Sequence, residues 1–389
     1  MLLPNESALA HSQLVQAMIQ KQIHAASHWI SFEQYMNLAL YAPGLGYYSS
    51  GATKLGSAGD FVTAPELSPL FGRTLAHQLK QILPLLAQPN ILEFGAGTGK
   101  LARDILLELE KFNVLPEKYF ILEVSAELRQ RQQILIANEI PQLMQKVEWL
   151  DQLPEQLTGV VIANEVLDAM PVHIIKWQNS IALERGVSAE NNRFFWQDRP
   201  IRSPQLNTIA EELIHEINPN NLPDFEYLSE INLAAPGFVC SLAERLREGV
   251  ILLIDYGFGR SEYYHPQRNQ GTFMCHYRHH AHDDPFYLPG LQDITSHVEF
   301  SAIAIAAINA GLQLMGYTTQ AHFLINCGIT TILSQTAAED TIRYLPQSNQ
   351  LQKLVSPAEM GELFKVIAFG KNFNEPLIGF RSGDMTRLL

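Results

Sequence analysis

A glycine-rich turn at residues 93–99 is the first feature of this 389-residue sequence whose residue types suit chemistry. It has the sequence EFGAGTG, follows an apolar run at 90–94 and precedes a helical pattern that begins at Lys100. Glycines let a ligand approach the backbone closely, and amides at the start of a helix attract polar and anionic groups. The turn therefore indicates a site for a nucleotide-like cofactor. The residues that we expect to contact the cofactor there are Gly95, Ala96, Gly97 and Gly99.

Acidic side chains near the ends of the predicted strands indicate which cofactor this is. Glu123 ends the second strand, where a carboxylate accepts both hydroxyls of a ribose, a group that NAD and S-adenosylmethionine share. Glu93, just before the glycines, suits the methionyl end of S-adenosylmethionine. Asn164, Glu165 and Asp168 follow the fourth strand, where polar groups face a transferring methyl group. These positions favour S-adenosylmethionine over NAD, and the alternative for each acid is a helix cap or a surface charge.

Five apolar runs alternate with helical patterns in the middle of the chain and predict the fold that positions these residues. Strands that are apolar throughout are typical of parallel sheets covered by helices on both faces. Two later runs at 312–318 and 363–369 predict further strands around a helical insertion. We therefore expect an α/β fold with the site at the carboxyl ends of its strands. The five runs are residues 90–94, 118–124, 147–150, 159–165 and 249–257.

The segments outside this pattern predict a four-part organisation. Residues 1–88 hold two helical patterns and a loop rich in Gly, Ser and Tyr, and residues 89–176 begin the cofactor-binding core. Residues 177–235 are polar and contain prolines, which indicates an insertion, and residues 236–389 complete the core.

The loop at 44–66 is expected to close over the cofactor as a lid, because a glycine-rich loop can open and close. In that interpretation Asp60 and Thr63 contact the cofactor, and Glu66 lies on the acceptor side. The alternative is a fixed surface loop with packed aromatic side chains.

Composition restricts the partners and the compartment. A net charge of −13 repels phosphate backbones and anionic membranes, so we expect no nucleic-acid substrate. The three cysteines are widely spaced and predict neither a disulfide framework nor a zinc site. No apolar run is long enough to span a membrane. We expect a cytoplasmic protein without membrane insertion, and nothing in the sequence indicates its oligomeric state.

A histidine-rich segment near residue 280 is the remaining candidate for chemistry. Four histidines and two aspartates crowd it, but their spacing fits no standard set of metal ligands, so we predict no metal site. His279 is a candidate base or substrate-positioning residue, and the alternative is a hydrogen-bonded structural histidine.

Several motifs taken together resemble the MidA-like methyltransferases. The similarity extends over nearly the whole chain, and its motifs are specific only in combination. They lie at residues 30–41, 43, 46–48, 59–66, 93–99, 164–165, 168–172, 254–257, 284–285, 289–290, 293–298 and 364–366.

This resemblance implies a class I, Rossmann-like methyltransferase. It implies a mostly parallel seven-stranded sheet with helices on both faces, an N-terminal extension and insertions, and S-adenosylmethionine as methyl donor. The mitochondrial members of the family are arginine methyltransferases needed for assembly of respiratory complex I. The resemblance therefore also implies a protein arginine as acceptor, in a complex I subunit.

Arginine as acceptor agrees with the acidic residues at the site. A guanidinium keeps its charge at neutral pH, so the enzyme must hold a cation with carboxylates while one nitrogen faces the methyl group. Glu165 and Asp168 are the first candidates, with Glu66 and Asp255 in reserve. Two rival functions stay open at this point, an NAD-dependent dehydrogenase and a non-catalytic assembly factor that binds S-adenosylmethionine.

Overall fold

The computed structural model describes residues 4–50, 63–179 and 181–389. Its N-terminal segment has the two helices that the sequence predicts. The second of them begins with a capping box, in which the Ser31 hydroxyl accepts the Gln34 amide and the Gln34 side chain accepts the Ser31 amide. The elements of this segment are α1 (Glu6–Ala25), β1 (Ile30–Ser31), α2 (Phe32–Tyr41), α3 (Ala64–Leu67) and α4 (Pro69–Ile82).

The next segment alternates strands and helices as the apolar runs predict. Along β5, the seven residues before Asn164 are all buried, because this strand has neighbours on both sides and helices on both faces. The elements are β2 (Asn90–Phe94), α5 (Lys100–Lys111), β3 (Tyr119–Leu122), α6 (Ala126–Glu139), β4 (Val147–Leu150) and β5 (Leu157–Asn164).

A second, antiparallel sheet follows β5. It has five strands, one of which is β1 from the N-terminal segment. On one edge of β7, β6 pairs with the first part and β1 with the part that follows, and β8 pairs with the other edge of β7. The elements are β6 (His173–Gln178), β7 (Ile181–Glu190), β8 (Arg193–Pro200), α7 (Pro204–Ile217), β9 (Glu226–Ile231) and α8 (Ala234–Arg245). The N-terminal segment and the predicted insertion therefore share one sheet. The predicted boundary at 177 lies inside β6.

The last segment returns to the central sheet and adds a small sheet of three strands, β11, β12 and β13. The two late strands predicted at 312–318 and 363–369 are present as β15 and β16, with three helices between them. The elements are β10 (Leu246–Phe258), α9 (Arg260–Tyr263), β11 (Met274–Tyr277), β12 (His280–His282), β13 (Asp293–Thr295), β14 (Val298–Glu299), α10 (Phe300–Asn309), β15 (Gln313–Thr319), α11 (Gln320–Asn326), α12 (Ile329–Leu333), α13 (Thr341–Val355) and β16 (Phe364–Lys371).

The central sheet is mixed and has the strand order β15-β16-β10-β5-β2-β3-β4. The strands from β10 to β4 are parallel, whereas β16 is antiparallel to β10 and to β15. The short β14 pairs with β10 as an eighth strand. The sheet is mostly parallel, as expected for an α/β fold. It has seven strands if β14 is left out and eight if β14 is counted.

The register brings the ends of β2 and β5 to one edge of the sheet, beside the later part of β10. Phe94 at the end of β2 pairs with Ala163, and Asn164 at the end of β5 pairs with Ile254. Gly95 and Glu165, the first residues after β2 and β5, therefore lie at this edge beside Asp255 of β10. Within the described residues, no helix has the length and apolar character needed to cross a membrane.

Candidate active site

The glycine-rich turn adopts a backbone that requires glycine. Gly95, Gly97 and Gly99 have φ angles of 59°, 54° and 89°, in the left-handed region that other L-residues adopt only at a cost. Gly99 is the N-cap of the twelve-residue helix α5. The amides of Gly95 and Gly99 donate to the carbonyls of Leu122 and Ala96, and the amides of Ala96 and Gly97 lie between them at the helix N-terminus.

A cavity lies over this turn and brings most of the predicted site residues together. Its walls come from the turn, from the ends of β3 and β5, and from the N-terminal segment. Residues that line it are Tyr41, Tyr48, Thr63, Pro65, Glu66, Glu93, Phe94, Gly95, Ala96, Gly97, Thr98, Lys100, Leu101, Leu122, Glu123, Val124, Leu128, Asn164, Glu165, Val166 and Ala169. Asp60, which the sequence also predicts at the cofactor, lies outside the described residues.

Glu93 is a buried acid in the floor of the cavity. Its side chain is 2% exposed, and its Oε2 accepts a hydrogen bond of 2.7 Å from the Tyr119 hydroxyl. Burial raises the pKa of Glu93 to about 8, although the Tyr119 bond opposes the shift. A cationic group brought beside Glu93 would favour its ionised form.

Glu123 is positioned at the end of β3 by two donors. Its Oε1 accepts the Ser125 amide at 2.9 Å, and its Oε2 accepts the Gln132 amide group at 3.0 Å. Gln132 also donates to the carbonyl of Gly97 at 2.9 Å, so it links the acid to the glycine-rich turn. Sequence reasoning missed Gln132. Its signal was a polar residue in the buried stripe that also holds Leu128 and Ile136 on α6.

Glu66 connects the N-terminal segment to the turn. One of its carboxylate oxygens accepts the Thr98 hydroxyl, and the other pairs with the Lys100 ammonium at 2.6 Å. Both oxygens therefore already have partners. Glu66 therefore links α3 to the start of α5. Its oxygens are engaged in these contacts, which does not favour the predicted role of Glu66 in binding the methyl acceptor.

Glu165 holds an unusual backbone conformation at the end of β5. Its φ is 54°, which is uncommon for a residue with a side chain and clusters at functional sites. Its Oε1 accepts the Asn164 side-chain amide at 3.1 Å and the Ala64 amide at 3.4 Å. Burial, with the Asp168 charge next in size, raises the pKa of Glu165 to about 8. Among the described residues, no Lys or Arg forms an ion pair with it.

Asp255 anchors the backbone that carries these groups. Its Oδ2 accepts the amides of Val166, Leu167 and Asp168 at 3.2, 2.9 and 3.2 Å. Asp255 is fully buried, so its carboxylate is used inside the protein. Its predicted reserve role in binding a guanidinium is not supported by this geometry.

Asp168 lies behind the cavity wall. It is 6% exposed, its Oδ1 has no hydrogen-bond partner among the described residues, and burial raises its pKa to about 6. The Oδ1 atom of Asn164 is likewise buried and without a partner. The carboxylate of Asp168 and these buried oxygens make the potential near Glu165 negative, which favours a bound cation.

His279 is not brought to this site. It lies with φ of 63° at the exposed turn between β11 and β12, and it does not line the cavity. In the part of the chain that the structure describes, no group of three His, Cys, Asp or Glu side chains is arranged to hold a metal ion.

Comparison with known proteins identifies the family. The sequence profile of the family described as "Putative S-adenosyl-L-methionine-dependent methyltransferase" matches residues 70–318, which is more than half of the chain. The chain belongs to this family. This methyltransferase therefore uses S-adenosylmethionine, and the NAD-dependent alternative is excluded.

Two solved structures share the fold of this methyltransferase over its full length. A protein of Burkholderia thailandensis, crystallised with S-adenosyl-homocysteine, is 47% identical with a TM-score of 0.95, and the match covers 100% of both chains. A native crystal structure from the same organism is 46% identical with a TM-score of 0.92 and the same coverage.

Curated relatives carry a more specific name. The fruit-fly protein "Protein arginine methyltransferase NDUFAF7 homolog, mitochondrial" is 28% identical over 87% of this chain and 81% of its own length. The zebrafish "Protein arginine methyltransferase NDUFAF7, mitochondrial" is 27% identical over 86% of this chain and 82% of its own length. The cytoplasmic location predicted from the sequence is therefore wrong by this comparison, since these relatives and that of the mouse are named mitochondrial.

The residues of the cavity fit S-adenosylmethionine. The open turn, the buried acid Glu93 and the oriented acid Glu123 are the group types that such a cofactor needs at this edge of the sheet. Sequence reasoning gave no role to Tyr41 in this wall, or to Asp293, which accepts the Tyr48 hydroxyl at 2.9 Å.

Proposed function

We propose that this methyltransferase acts on arginine side chains of proteins. The observation that carries the proposal is Glu165, which faces the cofactor cavity with one carboxylate oxygen that has no hydrogen-bond partner among the described residues. An acid beside further unpaired acceptors suits a cation with several N–H groups. The names of the fly and zebrafish relatives support the same acceptor.

Each cofactor contact is part of this proposal. The amides of Ala96 and Gly97 and the carboxylate of Glu93 would hold the methionyl part, and Glu123 would accept the ribose hydroxyls. Thr63 lines the same cavity, and a cofactor contact by Asp60, which lies outside the described residues, is proposed from the sequence motif alone. When bound, S-adenosylmethionine supplies an activated methyl group whose sulfonium charge disappears on transfer.

The acceptor is positioned by carboxylates. Glu165 would bind the guanidinium through its unpaired oxygen, while the buried charge of Asp168 adds to the negative potential. During transfer a nitrogen–carbon bond forms and the sulfur–carbon bond breaks. The nitrogen then loses one proton, which Glu165 is placed to accept before it passes to water.

Three finer statements also belong to the proposal. A respiratory complex I subunit as acceptor rests on the similarity of the sequence motifs to the MidA-like family. The division into residues 1–88, 89–176, 177–235 and 236–389 is kept as a proposal, although β1 and β7 join its first and third parts. A core of seven strands, with β14 as an addition, is proposed as the family arrangement.

The test is a transfer assay with methyl-labelled S-adenosylmethionine and a mitochondrial extract. Labelled proteins are hydrolysed to amino acids, and we expect the label in methylarginine with the wild type and strongly reduced label with Glu165→Gln. Glu148→Gln, which changes an exposed carboxylate on the edge strand β4, is the matched control. Label in another amino acid, or no label at all, would contradict the proposal.

A further inference from the structure

Two stacked tyrosines form one wall of the cavity. Tyr41 ends α2, and Tyr48 lies in the turn that follows. Their ring centroids are 5.4 Å apart with an interplanar angle of 23°, and Tyr47 packs edge-on against Tyr48 at 5.0 Å. Both Tyr41 and Tyr48 line the cavity together with Glu165. An aromatic wall and the carboxylate proposed to bind the guanidinium therefore line the same cavity.

The hydroxyl groups of this pair are tied to the protein. Tyr41 donates to the carbonyl of Ala169 at 2.9 Å, and Tyr48 donates to Asp293 Oδ1 at 2.9 Å. Burial, and then the Asp293 charge, raises the pKa of both tyrosines well above the ordinary value. The rings are therefore neutral, and their position is fixed from two sides, by the segment after β5 and by β13.

The negative charge of the carboxylates attracts both cationic side chains of proteins. Glu165 and Asp168 attract an ammonium as well as a guanidinium. A guanidinium is planar and weakly hydrated, so it can stack on an aromatic ring while its edge bonds a carboxylate. An ammonium is compact and strongly hydrated, and it gains less from the same ring.

We propose that Tyr48, supported by Tyr41, is the residue that selects a planar guanidinium over an ammonium at this site. The inference rests on the proposed function and deepens it, because it assigns acceptor specificity to a residue of the N-terminal segment. The acids attract either cation, and the aromatic wall favours the guanidinium of arginine over the ammonium of lysine.

The test measures binding of two small probes to the protein loaded with S-adenosyl-homocysteine. N-acetylarginine amide and N-acetyllysine amide are titrated into wild type, Tyr48→Leu and Tyr48→Phe, and binding is followed by NMR. We expect Tyr48→Leu to weaken binding of the arginine probe by roughly 5- to 30-fold while the lysine probe changes by less than about twofold. Tyr48→Phe keeps the ring, so it should retain most of the preference.

Two controls separate this role from a general loss of structure. S-adenosyl-homocysteine is kept at a saturating concentration for each variant, determined by its own titration, so that the probes are compared on fully loaded protein. Tyr287→Leu, which removes a half-buried ring that packs on Tyr277 outside the cavity, should leave both probes unaffected.

Several outcomes would overturn the inference. The inference fails if the wild type binds both probes equally or binds neither of them. It also fails if Tyr48→Leu still prefers the arginine probe, or if this variant loses affinity for both probes to the same extent. Failure of the proposed function is a separate result, because it would appear as absence of methylarginine with the wild type. If arginine is methylated and Tyr48→Leu keeps the arginine preference, only the inference fails.

Discussion

Replacing Glu165 by glutamine should reduce methyl transfer without loss of the fold. Glu165 Oε1 accepts hydrogen bonds from Asn164 and Ala64, and the amide oxygen of glutamine can accept both. The glutamine NH2 group would then take the place of the second oxygen. That group is a donor, and a guanidinium also offers only donors. The substitution therefore removes one charge-assisted hydrogen bond and puts two donors opposite each other.

The size of the effect follows from this single lost contact. A hydrogen bond to a charged group contributes about 1.5–3 kcal/mol, which corresponds to roughly a 10- to 150-fold decrease in kcat/KM for the protein acceptor. Stability should not fall, because burial raises the pKa of Glu165 to about 8 and glutamine carries no charge that needs solvation. The melting temperature above pH 8 should be equal to that of the wild type or higher.

The assay compares kcat/KM for a purified acceptor with the calorimetric affinity for S-adenosylmethionine. We expect the first to fall and the second to change by less than about threefold. Glu123→Gln is the comparison variant, and it should weaken the binding of S-adenosylmethionine more than Glu165→Gln does. The reasoning would be refuted if Glu165→Gln had wild-type kcat/KM, or if its loss of activity were explained by loss of cofactor affinity.

Three further results are expected. Gly97→Ala should weaken the binding of S-adenosylmethionine, measured by calorimetry, at least about tenfold. The φ of 54° costs an alanine roughly 1–2 kcal/mol, and the added methyl group narrows the space over the turn. Unchanged affinity would contradict the role of the turn. Asp255→Ala removes the acceptor of four backbone amides, those of Val166, Leu167, Asp168 and Tyr256. The free energy of unfolding measured with urea should therefore fall by about 3 kcal/mol, and by less for Asp255→Asn. Equal losses in the two variants would contradict the anchoring role. Binding of N-acetylarginine amide should release protons and tighten as the pH rises from 6 to about 8, because a bound cation favours ionised Glu165; affinity that does not depend on pH would contradict this.

The same pKa shifts predict how stability of the ligand-free protein depends on pH. Glu93 and Glu165 have a pKa near 8 when folded, against an ordinary value of 4.5. Between these two values the folded protein keeps protons that the unfolded chain has lost. The free energy of unfolding should therefore receive a decreasing contribution from these groups as the pH rises from about 4.5 to about 8. Saturating S-adenosylmethionine should reduce the part that belongs to Glu93, and chemical denaturation across this range measures both.

The core of the fold was predictable because its strands are long and apolar. A strand such as β5, with seven successive buried residues, must lie inside a sheet that is covered on both faces. The turn after β2 was predictable for a similar reason, since three closely spaced glycines have few other structural uses. The short β14 was not foreseen, because two residues carry no periodic pattern.

The pairing of strands that are distant in the sequence could not be predicted from the local sequence pattern. Ile30 and Ser31 pair with Val187 and Gly186, which lie more than 150 residues later in the chain. No property of the two-residue strand indicates that partner. For the same reason Tyr48 and Asp293 were not recognised as neighbours at the site.

Residue type alone does not distinguish the roles of the acids at this site. Glu66 and Asp255 carry the same chemical group as Glu165, yet their oxygens are occupied by partners within the protein. Only the three-dimensional structure shows which carboxylates keep an acceptor for a ligand. His279 shows the converse, because a histidine-rich segment is conspicuous in the sequence but places this side chain at an exposed turn.

The most direct test of the central claim is quantitative mass spectrometry of methylarginine in cells that lack this protein and are complemented with wild type or Glu165→Gln. We predict that a defined set of methylarginine sites disappears in the deleted cells. These sites should return with the wild type and remain absent, or nearly so, with Glu165→Gln expressed at the same level. Methylarginine that is unchanged on deletion, or fully restored by Glu165→Gln, would contradict a protein arginine methyltransferase that binds its acceptor through Glu165.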